Sequence, residues 1–216
     1  MLEKLNFFYK SLEDMDNREY FYNFISYNVA LISARLKPSI TLNLIRDLNR
    51  DIFLLWNIYG KDYLKELKLN YIELRETNNS LVILIYDKEL LSKYIYKQDN
   101  INFLRSIGYD IEVCVDKYLK TLSERYKKYK CPHELGIFLG YPLNDVIDFI
   151  NFSNKKCLAC GYWKVYNSYS KSKVIFNLFD EVKEVTVDNI LNGNTKNTLS
   201  KILRDRFKDN YDLVFN

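Results

Sequence analysis

Leu67-Lys68-Leu69-Asn70-Tyr71-Ile72-Glu73-Leu74-Arg75-Glu76-Thr77-Asn78-Asn79-Ser80-Leu81-Val82-Ile83-Leu84-Ile85-Tyr86 decides the fold class. Two β-rich runs, Leu67 to Arg75 and Leu81 to Tyr86, flank an Asn78-Asn79 pair whose side chains tolerate left-handed backbone angles. This predicts a β-hairpin. The second run is almost wholly apolar, as in a central strand covered on both faces. The rest of the chain reads mainly as helix. The class expected is therefore α+β: a mostly helical single domain over residues 1–216, built around a small sheet of about three strands that includes the hairpin. Residues from about 183 to 216 are a candidate C-terminal appendage on that domain.

Upstream of the hairpin, Tyr20, Phe24, Tyr27 and Leu31 share one helical face. Lys37-Pro38 should end that helix, because the residue before proline is pushed away from helical angles. A second helix is expected with Leu44, Leu48, Ile52, Leu55 and Tyr59 on its buried stripe and Gly60 as terminator. Downstream, a helix from Lys88 to Ile107 should break at Asp99-Asn100 and stop near Gly108. The next carries Ile111, Val115, Leu119, Leu122 and Tyr126 in register. Gly161 to Tyr166 reads as a short strand. Helices at 171–179 and 198–207 finish the chain, joined by a polar loop over 188–197 that contains Gly193.

Composition sets bounds on function. Hydrophobic residues at 48% and aromatics at 16% exclude a disordered chain. The 19 Tyr and 13 Phe, with many Ile, Asn and Lys but only 6 Gly and 3 Pro, are the bias of AT-rich codons. Lysine is then the default surface residue, which weakens functional readings of single lysines. A net charge of +4 over 60 charged side chains (32 basic, 28 acidic) gives no basic stripe for nucleic acid. The lysines between Lys117 and Lys130 fit a solvated helix whose last turn complements its dipole. The segment from Met1 to Asp16 lacks the apolar centre of a secretory signal, and no apolar run approaches the roughly 20 residues of a membrane span. Four cysteines are too few for a disulfide framework, so reduced thiols in the cytoplasm are expected.

The residues that punctuate a backbone or do chemistry concentrate between Cys131 and Ile150, which hold the only histidine, two prolines and two glycines. Glu134 to Leu139, the turn Gly140-Tyr141-Pro142, and Leu143 to Ile150 outline a helix-turn-helix. As a DNA reader it is poor: Asn144, Asp145 and Asp148 occupy the outward positions, and carboxylates repel phosphates. Cys131, His133, Cys157 and Cys160 form a permitted set for tetrahedral zinc, although Cys157-x-x-Cys160 is also explained by two ordinary thiols. His133 with Glu134 could serve an enzyme acting on a small molecule. Adjacent helical side chains diverge, however, and both residues also suit a helix start. In the Gly161 to Tyr166 strand, Tyr162, Lys164 and Tyr166 fall on one face and Trp163 and Val165 on the other. Two aromatic rings flanking a cation would suit a phosphate or carboxylate. Lys37 is a weaker candidate of the same kind.

Pro132-His133-Glu134-Leu135-Gly136-Ile137-Phe138-Leu139-Gly140-Tyr141-Pro142 with Asp145-Val146, and Gly161-Tyr162-Trp163-Lys164-Val165-Tyr166, resemble the signature of an uncharacterised family of anaerobic Firmicutes, domain-of-unknown-function family 3793. Leu36-Lys37-Pro38 and Ile85-Tyr86 resemble its minor motifs, and the likeness runs from about Tyr20 to Phe179. The cysteines are not fixed in that pattern, which counts against zinc. The resemblance implies a shared surface of His133, Glu134, Tyr141, Trp163, Lys164 and Tyr166, but no activity and no cofactor. The function expected is a cytoplasmic, non-catalytic domain for a small anionic ligand or a partner protein, with no nucleic-acid or membrane partner. Its site should lie where the His133 helix meets the Tyr162 to Tyr166 strand, with Lys37 as a third wall.

Overall fold

The structure is a computed structural model that describes residues 2–110, 114–151, 154–194 and 196–215. Helix α1 (Leu2–Glu13) leads into α2 (Asn17–Ser33). Asp16 starts α2 by accepting hydrogen bonds from the amides of Arg18 and Glu19 at 2.8 and 2.9 Å, and the helix stops before Lys37-Pro38 as the sequence predicts. Strand β1 (Ser39–Ile45) follows, then α3 (Ile52–Leu55), a π-helical turn over 56–60, and α4 (Lys61–Glu66).

The expected second helix is thus a correction. Leu44 belongs to a strand, paired with Leu81, and Leu48 is fully exposed in the connecting loop. The four-residue spacing of apolar residues was accidental. Seven paired positions along an apolar neighbouring strand outweigh it, and Ile40, Thr41 and Ile45 are β-branched. Gly60 does not terminate a helix either. Its φ of −62° is helical, and the absence of a Cβ makes room for the Trp56 ring beside it.

The hairpin forms as β2 (Asn70–Glu76) and β3 (Ser80–Tyr86), starting three residues later than the sequence suggests because α4 and its left-handed exit residue Lys68 precede it. Thr77 Oγ1 closes the turn by accepting from the Ser80 amide at 3.1 Å. The antiparallel order is β1-β3-β2, so β3 is central. Leu81, Ile83 and Ile85 face a core with Phe21, Ile25 and Trp56, while Val82, Leu84 and Tyr86 face another with Tyr118, Leu122 and Phe138.

Helices α5 (Lys88–Ile95) and α6 (Gln98–Ser106) break at Tyr96-Lys97 rather than at Asp99-Asn100. The buried Asn100 amide donates to the Tyr94 carbonyl at 2.7 Å and so caps the end of α5 from within α6. Gly108, at φ +94°, ends α6. Ile111 lies outside the described residues; Val115, Leu119, Leu122 and Tyr126 are the buried stripe of α7 (Val115–Tyr129). The short α8 (Leu135–Phe138), α9 (Leu143–Asn151) and the two-residue strands β4 (Ala159–Cys160) and β5 (Lys164–Val165) come next. Helix α10 (Tyr169–Leu191) extends well past the expected 171–179 and takes in the first four residues of the expected 188–197 loop. It shares a third core with α2 and α11 (Lys196–Phe207), through Leu31, Val182, Leu199 and Leu203. A 3₁₀ turn (Lys208–Asn210) and α12 (Tyr211–Phe215) close the described chain. No helix among the described residues is long and apolar enough to cross a membrane.

Gly140 fixes the corner between α8 and α9. Its φ is +76°, and an added Cβ would sit 2.5 Å from Pro38 Cδ. Gly140→Ala combines backbone strain with a clash, so urea denaturation should show a loss of about 2–3 kcal/mol. A loss within about 0.5 kcal/mol, the usual range for surface substitutions, would mean the corner is not constrained as described.

Candidate functional site

The α8–α9 corner is held from two sides. Ser39 Oγ donates to the Phe138 carbonyl at 2.7 Å, which ties β1 to α8. Pro38 packs on Gly140, and this brings Lys37 against the next residue, with Nζ 4.9 Å from the centre of the Tyr141 ring. The Tyr141 carbonyl accepts from Tyr94 Oη at 2.5 Å.

Asp145, in the first turn of α9, is only 3% exposed. One carboxylate oxygen accepts from Trp163 Nε1 at 2.9 Å. The other accepts from the amides of Tyr166 and Asn167 and from Asn167 Nδ2, at 2.9, 3.0 and 2.9 Å. Four donors for one buried carboxylate weld α9 to the β5 segment. Sequence reasoning placed Asp145 outward on a recognition helix; the correction follows from donors 18 to 22 residues away that no helical pattern reveals.

The segment from Gly161 to Tyr166 is not a single strand. Gly161 donates to the Trp163 carbonyl at 3.1 Å in the turn between β4 and β5, so side chains do not alternate as expected. Trp163, Val165 and Tyr166 are all buried, Lys164 is exposed, and Tyr162 turns to α10, where its hydroxyl donates to Asp180 at 2.9 Å. The predicted platform of two rings flanking Lys164 is therefore absent.

Tyr141, Asp145 and Trp163 instead form a partition with a cavity on each side. The first, about 360 Å³, has an apolar lining that includes Leu135, Leu139 and Val146, with His133 and Lys164 also on its wall. Both approach Phe149: the His133 ring centre at 4.9 Å and Lys164 Nζ at 5.2 Å. The second, about 300 Å³, contains Lys37, Lys97 and Lys171. The structure thus brings His133, Lys164, Tyr141 and Trp163 together, and places Lys37 on the far side of the Tyr141–Trp163 wall. Glu134 turns away from His133. It is 4% exposed, ion-paired with Arg125 Nε and bonded by Tyr109 Oη at 3.2 Å, so the two adjacent residues do not meet on one substrate. Tyr166 serves Asp145 through its backbone amide.

Cys131 borders the first cavity, Cys160 pairs with Lys164 across β4–β5, and all four cysteines are free. Among the described residues no three His, Cys, Asp or Glu side chains converge to hold a metal, so the proposed zinc set is not assembled.

Lys37 is 7% exposed, and among the described residues its ammonium has no carboxylate partner. Burial pulls its pKa down to about 8. Behind it, burial and then repulsion from Lys37 bring Lys183 to about 7; the Lys183 ammonium donates to the Tyr27 carbonyl and lies 4.1 Å from the Tyr27 ring centre. Lys97 donates to the Phe215 carbonyl and is lowered by burial and by Lys171. Sequence reasoning missed Asp145, Lys97, Lys171 and Lys183. In a lysine-rich chain the lysines carry no local mark.

Asp145→Ala would leave several buried donors without an acceptor, and a loss of about 3–5 kcal/mol is expected in urea denaturation, with red-shifted tryptophan emission. Wild-type stability in this variant would show that the carboxylate is dispensable. Neither a curated protein nor a solved structure matches the chain. The family model described as protein of unknown function, DUF3793, matches residues 25–200, and the chain belongs to that family.

Proposed function

We propose that this domain binds a small anionic molecule in the cleft that contains Lys37, without catalysis of its own. The observation that carries the reading is Lys37 itself, a buried ammonium facing a cavity, with no carboxylate ion-paired to it among the described residues. An uncompensated buried charge is destabilising, and a bound anion would compensate it. Lys97 and Lys171 add positive charge to the same cleft, and Tyr141 supplies a ring face. The carboxylates there are Asp99 and Asp145, and the latter is saturated by four donors. A cytoplasmic setting is part of this reading, supported by the four free thiols.

The His133–Lys164 cavity supports a second reading. Its apolar walls and two nitrogen-bearing side chains near Phe149 suit an amphipathic anion. The Lys37 cleft is preferred because Lys164 is exposed and already solvated, whereas Lys37 is not.

The sign of the pH dependence follows from Lys37. Its ordinary value is 10.5 and its folded value about 8, so between these the unfolded chain holds more protons, and stability of the ligand-free protein should rise with pH across that window. Anion binding needs the protonated form, and should weaken as pH rises through about 8. Lys37→Met removes the buried charge, and is expected to raise stability at pH 7 by up to about 3 kcal/mol while abolishing binding. Thermal melts of both proteins at pH 7 and pH 9.5, with and without millimolar adipate, check this. An adipate-induced rise in Tm that survives Lys37→Met would refute the assignment.

A further inference from the structure

We infer that the cleft takes an elongated molecule with an anionic group at each end, of the α,ω-dicarboxylate class, rather than a compact single anion. This rests on the anion-binding reading above and specifies the ligand of that site. The cleft runs along one face of α10, which contributes Lys171, Ser172, Ile175 and Phe179, with Ser168 just before the helix. From Lys171 to Phe179 the helix rises about 12 Å.

Positive charge lies at both ends of that face. At the inner end stands Lys37, close enough to repel Lys183, which is one turn beyond Phe179 on α10 and opens on a separate pocket with Asp180 and Glu184. At the outer end, Lys171 repels Lys97. The outer end also holds the start of a 23-residue helix, whose dipole adds to the attraction for an anion. Asp99, exposed in the first turn of α6, is the carboxylate that offsets part of this charge. Between the ends the walls are Tyr141, Trp163 and Ile175, with the Trp163 N–H already committed to Asp145.

A compact anion can neutralise only one of these poles. Taking the rise along α10 from Lys171 to Phe179 as the length scale of the cleft, less a hydrogen bond of about 3 Å at each end, a spanning ligand needs carboxylates roughly 6 Å apart. That separation is the reach of adipate and its near homologues, with the methylenes lying along the aromatic and aliphatic wall.

Isothermal titration of the full chain at pH 7 with succinate, adipate, azelate and hexanoate tests the inference. Adipate should bind at least tenfold more tightly than hexanoate and more tightly than succinate or azelate. Lys171→Ala, a surface change that leaves the core untouched, should reduce adipate to the level of hexanoate. Lys37→Met should abolish binding of both, with circular-dichroism melts confirming that each variant is folded. Equal affinity for hexanoate and adipate in the wild type, both lost in Lys37→Met, would overturn the two-pole ligand and leave the single-anion reading standing. Binding that is unchanged by Lys37→Met, or absent for the whole series in the wild type, would overturn both.

Discussion

Strand β3 is apolar on both faces, and that requirement organises the molecule. A strand of this kind must be covered twice, so α2 to α4 occupy one side of the sheet and α5 to α9 the other. The edge strand β1 serves both layers. Its ladder with β3 holds the sheet, its first residue binds the α8 carbonyl, and the Lys37-Pro38 pair before it abuts the α8–α9 corner. The candidate site therefore lies where the chain enters the sheet, not within it.

At that corner Asp145 acts as a joint. A carboxylate that collects four hydrogen bonds from the β5 segment fixes the Trp163 indole against Tyr141, whose ring centre lies 5.7 Å away. This pair makes the partition between the two cavities. A loose partition would merge them, and the contrast between an apolar chamber and a lysine-containing cleft would disappear. The charge of Lys37 is a different matter, since nothing in the described chain neutralises it. A residue held in this way costs the fold stability, which is the ground for the anion-binding proposal.

Much of the fold could be read locally. The hairpin, the central position of β3, the end of α2 ahead of Lys37-Pro38, and the α8–α9 corner all rest on patterns within a dozen or so residues, although it is left-handed Arg35 that turns the chain out of α2. β1 was misread because four-residue spacing of apolar residues imitates a helix when the partner strand is 35 to 47 residues away in sequence. Of the site residues chosen from sequence, His133, Lys164, Tyr141 and Trp163 converge on one cavity, and Lys37 reaches the shared wall from the other side. Glu134 does not join them, because Arg125 on α7 takes its carboxylate into the core.

What the sequence determined by itself was the class of structure, and it pointed to the α8–α9 corner as a candidate site, since turn residues, apolar period and a concentration of special residues act over short range. The tertiary structure alone decided which of the many lysines are buried. Burial is a property of the packed whole: Lys37 resembles any surface lysine until α10, the α8–α9 corner and α12 enclose it, and only then does an ordinary ammonium become a charge in need of a partner.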